Sequence, residues 1–165
     1  MKKTDRIAVS AMAIALAMIL SFVESRIPPL TAIPGIKLGL ANIAVIFALY
    51  KLGLKEAIIV SLTRVFLVSL LFGSFVSMLY GLCGAVVSLS LMILLKKFTP
   101  LGVTAISVVG GVGHNIGQIA IACFLTETAQ LLYYLPFLIL SGTLSGILIG
   151  IVAALVIKRL SKQKE

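Results

Sequence analysis

Apolar runs of 17 or more residues recur down this chain, parted only by short basic or proline-containing breaks. A run of that length is what an α-helix needs to cross the roughly 30 Å hydrocarbon core of a bilayer. No other feature restricts the fold as strongly, because backbone polar groups inside lipid must be satisfied within the segment itself. At about 25–28 residues per span and turn, the 165 residues accommodate six such helices. The expected fold class is therefore an all-α integral membrane protein, a single six-helix transmembrane domain over 1–165. Its spans are read at 7–23, 38–50, 56–72, 74–95, 103–125 and 131–157, with an external loop at 24–37.

Composition supports this. Hydrophobic residues make up 61% and charged residues 12% of the chain, whereas about a quarter of a soluble domain is charged. A disordered chain and a soluble globular domain are both excluded on that balance. No Gly-Lys pair occurs in the sequence, so the chain has no P-loop with which to hydrolyse ATP. Cys83 and Cys123 sit inside apolar runs, and His114 is the only histidine, so neither a metal site nor a cofactor is expected.

The net charge of +9 is distributed in a telling way. Eleven of the fourteen Lys and Arg residues fall in four clusters, at 2–6, 51–55, 96–97 and 158–164, separated by two spans at a time. Basic residues concentrate on the cytoplasmic side of membrane proteins, so both termini are expected in the cytoplasm and the protein in the cell membrane, in contact with lipid. No cluster has the interleaved aromatics of a nucleic-acid platform, and no nucleic acid is expected as a partner. The first run reads as a retained span: its core is 17 residues and no A-x-A site follows it.

Few polar residues fall inside the spans. Arg64 lies near the middle of the third, where a charge costs about 2.5–3.5 kcal/mol on insertion scales. It must face the bundle interior, meeting an acid such as Glu24 or Glu127, helix-end carbonyls, or a bound carboxylate or phosphate. His114, Asn115 and Gln118 share one helical face of the fifth span, with Gly110, Gly111, Gly113 and Gly117 leaving room around them. Interhelical hydrogen bonding and ligand binding are both open to them. The segment 24–37 has three prolines and one glycine and suits a stiff lid over an outward cavity. Behind it the second span is short, a feature that points to binding regions in transporters. Lys37 and Asn42 stand at its start, where a polar or anionic ligand would meet them.

Small residues recur at four-residue spacing. Gly142, Gly146 and Gly150 on the last helix, and Gly113 with Gly117, read as close helix packing. Ala11 and Ala15, with Ala8 a turn earlier, make a smooth face on the first helix that is either an internal seam or a docking face for another membrane subunit. Catalysis has little to work with. The chain has one Asp, Asp5, and four Glu, none paired within a span.

Three blocks carry a resemblance: IPGIKLGLANI at 33–43, LTRVFLVSLLFG at 62–73 and GGVGHNIGQ at 110–118. Together they resemble the Gx transporter family, also labelled heptaprenyl diphosphate synthase component I. That family is similar to the substrate-binding (S) components of energy-coupling factor transporters. The resemblance implies six helices with both ends cytoplasmic, and a ligand site toward the outer side under the first loop. It also implies a first-helix Ala-x-x-x-Ala motif contacting a coupling subunit. Here Ala11–Ala15 fits that motif, and so does Ala13–Ala17. Prenyl diphosphate synthases resemble one another in Asp-rich motifs for magnesium, which one Asp cannot supply, so no enzyme activity is expected.

The expected function is capture of a small-molecule substrate such as a vitamin, cofactor or isoprenoid-related precursor. Lys37, Asn42, Arg64, His114, Asn115 and Gln118 would meet it, while a coupling membrane subunit and an ATPase pair supply the energy. The competing expectation is a non-catalytic membrane subunit serving heptaprenyl diphosphate synthase or a membrane redox system. A stand-alone ion-coupled carrier is weaker, because no acid lies mid-span.

Overall fold

The structure, a computed structural model, describes residues 3–26 and 39–162. Lys37 and most of the 24–37 segment lie outside the described residues. Among those described, the chain is all-helical without strands: α1 Lys3–Arg26, α2 Asn42–Lys51, α3 Leu54–Phe72, α4 Phe75–Phe98, α5 Val103–Thr126 and α6 Leu135–Lys162. A short 3-10 helix, Ala129–Tyr134, leads into α6.

Four stretches are long and apolar enough to cross a membrane: Lys3–Glu24, Phe75–Phe98, Val103–Thr126 and Ala129–Ser161. At 24 residues, α4 and α5 each run about 36 Å at 1.5 Å per residue. The expected spans at 38–50 and 56–72 correspond to helices outside that set, for identifiable reasons. α2 has only ten residues, about 15 Å, because the chain enters it through Gly39 in a left-handed conformation, φ +70°. α3 carries Lys55, Glu56 and Arg64 along its 19 residues.

Side-chain contacts fix the helix directions. Arg6, near the start of α1, reaches the Leu52 carbonyl at 3.3 Å and Glu56 Oε1 at 3.1 Å. Lys51, at the end of α2, hydrogen-bonds Ser161 near the end of α6. Lys96, near the end of α4, donates to the Leu49 carbonyl at 2.5 Å and lies over the Tyr50 ring. One end of the bundle therefore gathers the basic clusters and both described termini. At the other end, the Phe22 ring near the end of α1 meets the Phe72 ring that ends α3, centroids 5.1 Å apart.

α2 is apolar all round, as a helix enclosed by others should be, and Ala44, Val45, Ile46, Ala48 and Leu49 are buried. It packs against α1, α3 and α6, and its residues form the centre of the hydrophobic core with Ala13 and Ala17 of α1 and Ala57 and Val60 of α3. The other seam is made of glycine. A Cβ on Gly146 would stand 2.6 Å from Val108 Cα, and one on Gly150 2.7 Å from Thr104 Cα. A Cβ on Gly117 would fall 2.7 Å from the Cys83 carbonyl oxygen. Backbones meet at those points, so α5 is clasped between α4 and α6 as the four-residue glycine spacing predicts.

The outer surface is apolar. Met12, Phe75, Phe124, Leu140 and Leu155 are each more than half exposed. A surface of this kind is stable in lipid and not in water.

Candidate functional site

Toward the end of the bundle away from the basic clusters, the helices line a partly open cavity of about 410 Å³. Each helix offers it one face. α1 contributes Ser21 and Glu24, three residues apart, and α5 contributes Gly111, His114, Asn115 and Gln118 at helical spacing. From α3 come Arg64, Val65, Val68, Ser69 and Phe72. The N-terminal end of α2 opens onto the same space through Gly39 and Asn42.

Five of the six residues singled out as ligand contacts in the sequence, Asn42, Arg64, His114, Asn115 and Gln118, thus line one cavity. The sixth, Lys37, lies outside the described residues. Arg64 is 8% exposed, and its Nε is buried with no hydrogen-bond partner among the described residues. Glu24 lines the cavity as well. Of the two acids considered for Arg64 in the sequence, Glu24 is the one that shares the cavity with it. Glu127 instead ends α5 as an exposed residue at φ +50°. Glu24 also accepts a hydrogen bond from the Gly39 backbone N–H, tying the end of α1 to the entry of α2.

Asn115 has a second attachment. Its Nδ2 donates to the Leu138 carbonyl oxygen at 2.7 Å, a buried contact from α5 to α6. The interhelical reading of this residue and its place on the cavity wall hold together. Small residues make the room: a Cβ on Gly84 would fall 2.9 Å from His114 Nδ1, and one on Gly81 2.9 Å from Val65 Cγ1.

The sequence reading missed the hydroxyls of Ser21, Ser69, Ser77 and Ser145, which also line the cavity. Only Ser21 carried a signal, lying three residues before Glu24 on the same helix face.

On α1, Ala11 and Ala15 are exposed, whereas Ala13 and Ala17 are buried in the core, at 6% and 0% exposure. The two registers of the small-residue motif are thus physically distinct, one facing outward and one inward. α1 is also the least enclosed of the four long apolar helices, with 11% of its apolar window buried against 28% for each of the others.

Apolar helices around a partly polar cavity define an α-helical membrane protein with a small-molecule-sized cavity near one end of its bundle. The family described as heptaprenyl diphosphate synthase component I matches residues 13–156, and the chain belongs to that family. No curated protein and no solved structure matches it.

Proposed function

We propose that this chain is the substrate-capture subunit of an energy-coupling-factor importer in the cell membrane, with both termini cytoplasmic. The observation that carries the reading is the cavity itself. A guanidinium is buried on its wall with an unmet donor, an arrangement that is costly unless something arrives to bind it. The volume is that of a small-molecule site, which typically holds about 300–1,000 Å³. Arg64 receives an acidic group, the N-terminal end of α2 adds its partial positive charge, and Gln118 and Asn115 orient the ligand. Lys37 belongs to the proposal for its charge and is tested by Lys37→Ala. Substrates of vitamin, cofactor or isoprenoid-precursor size fit this description.

An importer of this kind needs an energy source, and the chain has no P-loop. The exposed Ala11–Ala15 face of α1 suits close approach of another helix, as small-residue faces do. A membrane coupling subunit on that face, with an ATPase pair behind it, completes the proposal.

The family's description favours a second reading, a non-catalytic membrane subunit of a heptaprenyl diphosphate synthase. The single Asp of the chain, Asp5, lies in the first turn of α1, so the Asp-rich metal chemistry of such a synthase would reside in its partner. Affinity purification from the native membrane in mild detergent separates the two. Recovery of a second membrane protein with two ATPases supports the importer. Recovery of a soluble prenyl synthase without ATPases supports the accessory subunit and overturns the importer.

A further inference from the structure

Six cations stand at the C-terminal ends of three helices that carry no acid. Lys51 ends α2, Lys96 and Lys97 lie in the last turn of α4, and Lys158, Arg159 and Lys162 close α6. None of these helices contains an Asp or a Glu. Their ends are laced together, since Lys51 hydrogen-bonds Ser161 of α6 and Lys96 donates to the Leu49 carbonyl of α2. We propose that the ends of α2, α4 and α6 form a binding surface for the headgroups of anionic phospholipids. It does not depend on what the cavity at the other end of the bundle binds.

Unbalanced charge is the first argument. The acceptors that Lys51 and Lys96 meet, a hydroxyl and a carbonyl, are neutral, so each ammonium keeps its full charge. A helix C-terminus offsets about half an elementary charge, roughly 1.5 for three helices against six cations. The acids described at this end of the bundle stand on other helices. Asp5 is in the first turn of α1, and Glu56 of α3 is engaged by Arg6 at 3.1 Å. The cavity end offers an anionic headgroup far less: among the described residues its rim cation is Arg26, which lies over the Phe22 ring.

Layering is the second argument, and it favours a lipid over an acidic soluble protein. Beside the cations, the same helix ends expose large apolar side chains, Leu94 and Phe98 on α4 and Leu155 and Leu160 on α6. The Lys97 ammonium lies 5.2 Å from the centre of the Phe98 ring. Apolar stems with charged heads at the edge are how long cationic side chains sit at a membrane interface. A phospholipid supplies both halves, acyl chains to the apolar side chains and a phosphate to the ammoniums. Basic segments beside a membrane attract its anionic lipids in this way. An acidic protein surface would match the charges and leave the apolar side chains without a partner.

The test uses the full chain purified in neutral detergent and stripped of lipid, with melting followed as loss of the size-exclusion peak after heating. Phosphatidylglycerol and phosphatidylcholine are added to the micelles at equal mole fraction, with inorganic phosphate as the free-anion control. Phosphatidylglycerol is expected to raise the melting temperature more than phosphatidylcholine does. The difference should shrink between 0.1 and 1 M salt, as the screening length falls from about 10 to about 3 Å. The triple variant Lys97→Gln, Lys158→Gln, Arg159→Gln, all exposed positions, should raise the half-saturating fraction of phosphatidylglycerol about 10- to 100-fold, roughly 5-fold per cation. Lys97→Arg with Lys158→Arg should keep the response and separate lost charge from lost folding. Lys55→Gln, exposed on α3, and Arg26→Gln are the controls and should change it little. Equal stabilisation by the two lipids overturns the proposal. So does a phosphatidylglycerol response that survives in the triple variant, or that falls as far in the controls. Stabilisation by inorganic phosphate alone, to the same extent, would make this a free-anion site and overturn the lipid surface.

Discussion

Asn115 and Leu138 are joined by a 2.7 Å hydrogen bond from side-chain amide to main-chain carbonyl, buried between α5 and α6 beside the cavity. Asn115 therefore belongs to both the scaffold and the site wall, and its neighbour Gln118 provides the contrast. Replacing Asn115 with Leu should destabilise the bundle by about 0.6–2 kcal/mol, the range for interhelical polar contacts in membranes. Gln118→Leu should leave stability nearly unchanged and affect ligand binding alone. Denaturation of each variant in detergent gives the comparison, and equal losses would show that Asn115 has no special structural part.

The glycine seam makes a steeper prediction. Gly146→Ala and Gly150→Ala place a methyl group against Cα atoms of α5 at 2.6 and 2.7 Å, where no side chain can swing aside. Each should cost about 1–3 kcal/mol, as overpacking does. Gly102→Ala is the control, since nothing lies within 4 Å of its added carbon. Melting temperatures that fail to separate Gly102→Ala from the other two would contradict the packing described.

Arg64 should trade stability for function. A charge at the middle of a span is unfavourable by about 2.5–3.5 kcal/mol on insertion scales, and no hydrogen bond meets its Nε among the described residues. The ligand-free Arg64→Met protein is thus expected to melt at the same temperature as the wild type or higher. A marked drop in its melting temperature would assign Arg64 to the scaffold instead.

The two alanine registers of α1 should behave oppositely. Ala11→Leu with Ala15→Leu alters an exposed face and should leave the fold intact while abolishing recovery of the coupling subunit. Ala17→Leu inserts bulk where exposure is 0% and should destabilise the protein itself. Undiminished partner recovery by the Ala11/Ala15 double variant would remove that face as the docking surface.

Much of this arrangement is legible in the sequence, for a physical reason. In an apolar chain, each polar residue at mid-span must turn inward, so Arg64, His114, Asn115 and Gln118 announce a common interior before any contact is known. Glycine spacing likewise announces the α5–α6 seam, because only close backbones require it. The shortness of the second span is legible but the start of α2 is less so, since residues 39–41 precede it in the same mostly apolar stretch while Gly39, at φ +70°, stands outside the helix that begins at Asn42. Serines were missed because a single hydroxyl in an apolar helix can bond to its own backbone, as Thr143 does to the Ile139 carbonyl. The register of the α1 alanines had to come from packing, since an alanine-rich helix fits the motif on more than one face.

The central claim is that the Arg64 cavity captures a small molecule. Its most direct test is to purify wild-type and Arg64→Met protein in parallel from native membranes, release bound small molecules by denaturation, and compare them by mass spectrometry. The account predicts a polar, charged compound retained by the wild type at near-stoichiometric amount and depleted in Arg64→Met. Identical small-molecule content in two equally folded preparations would contradict it.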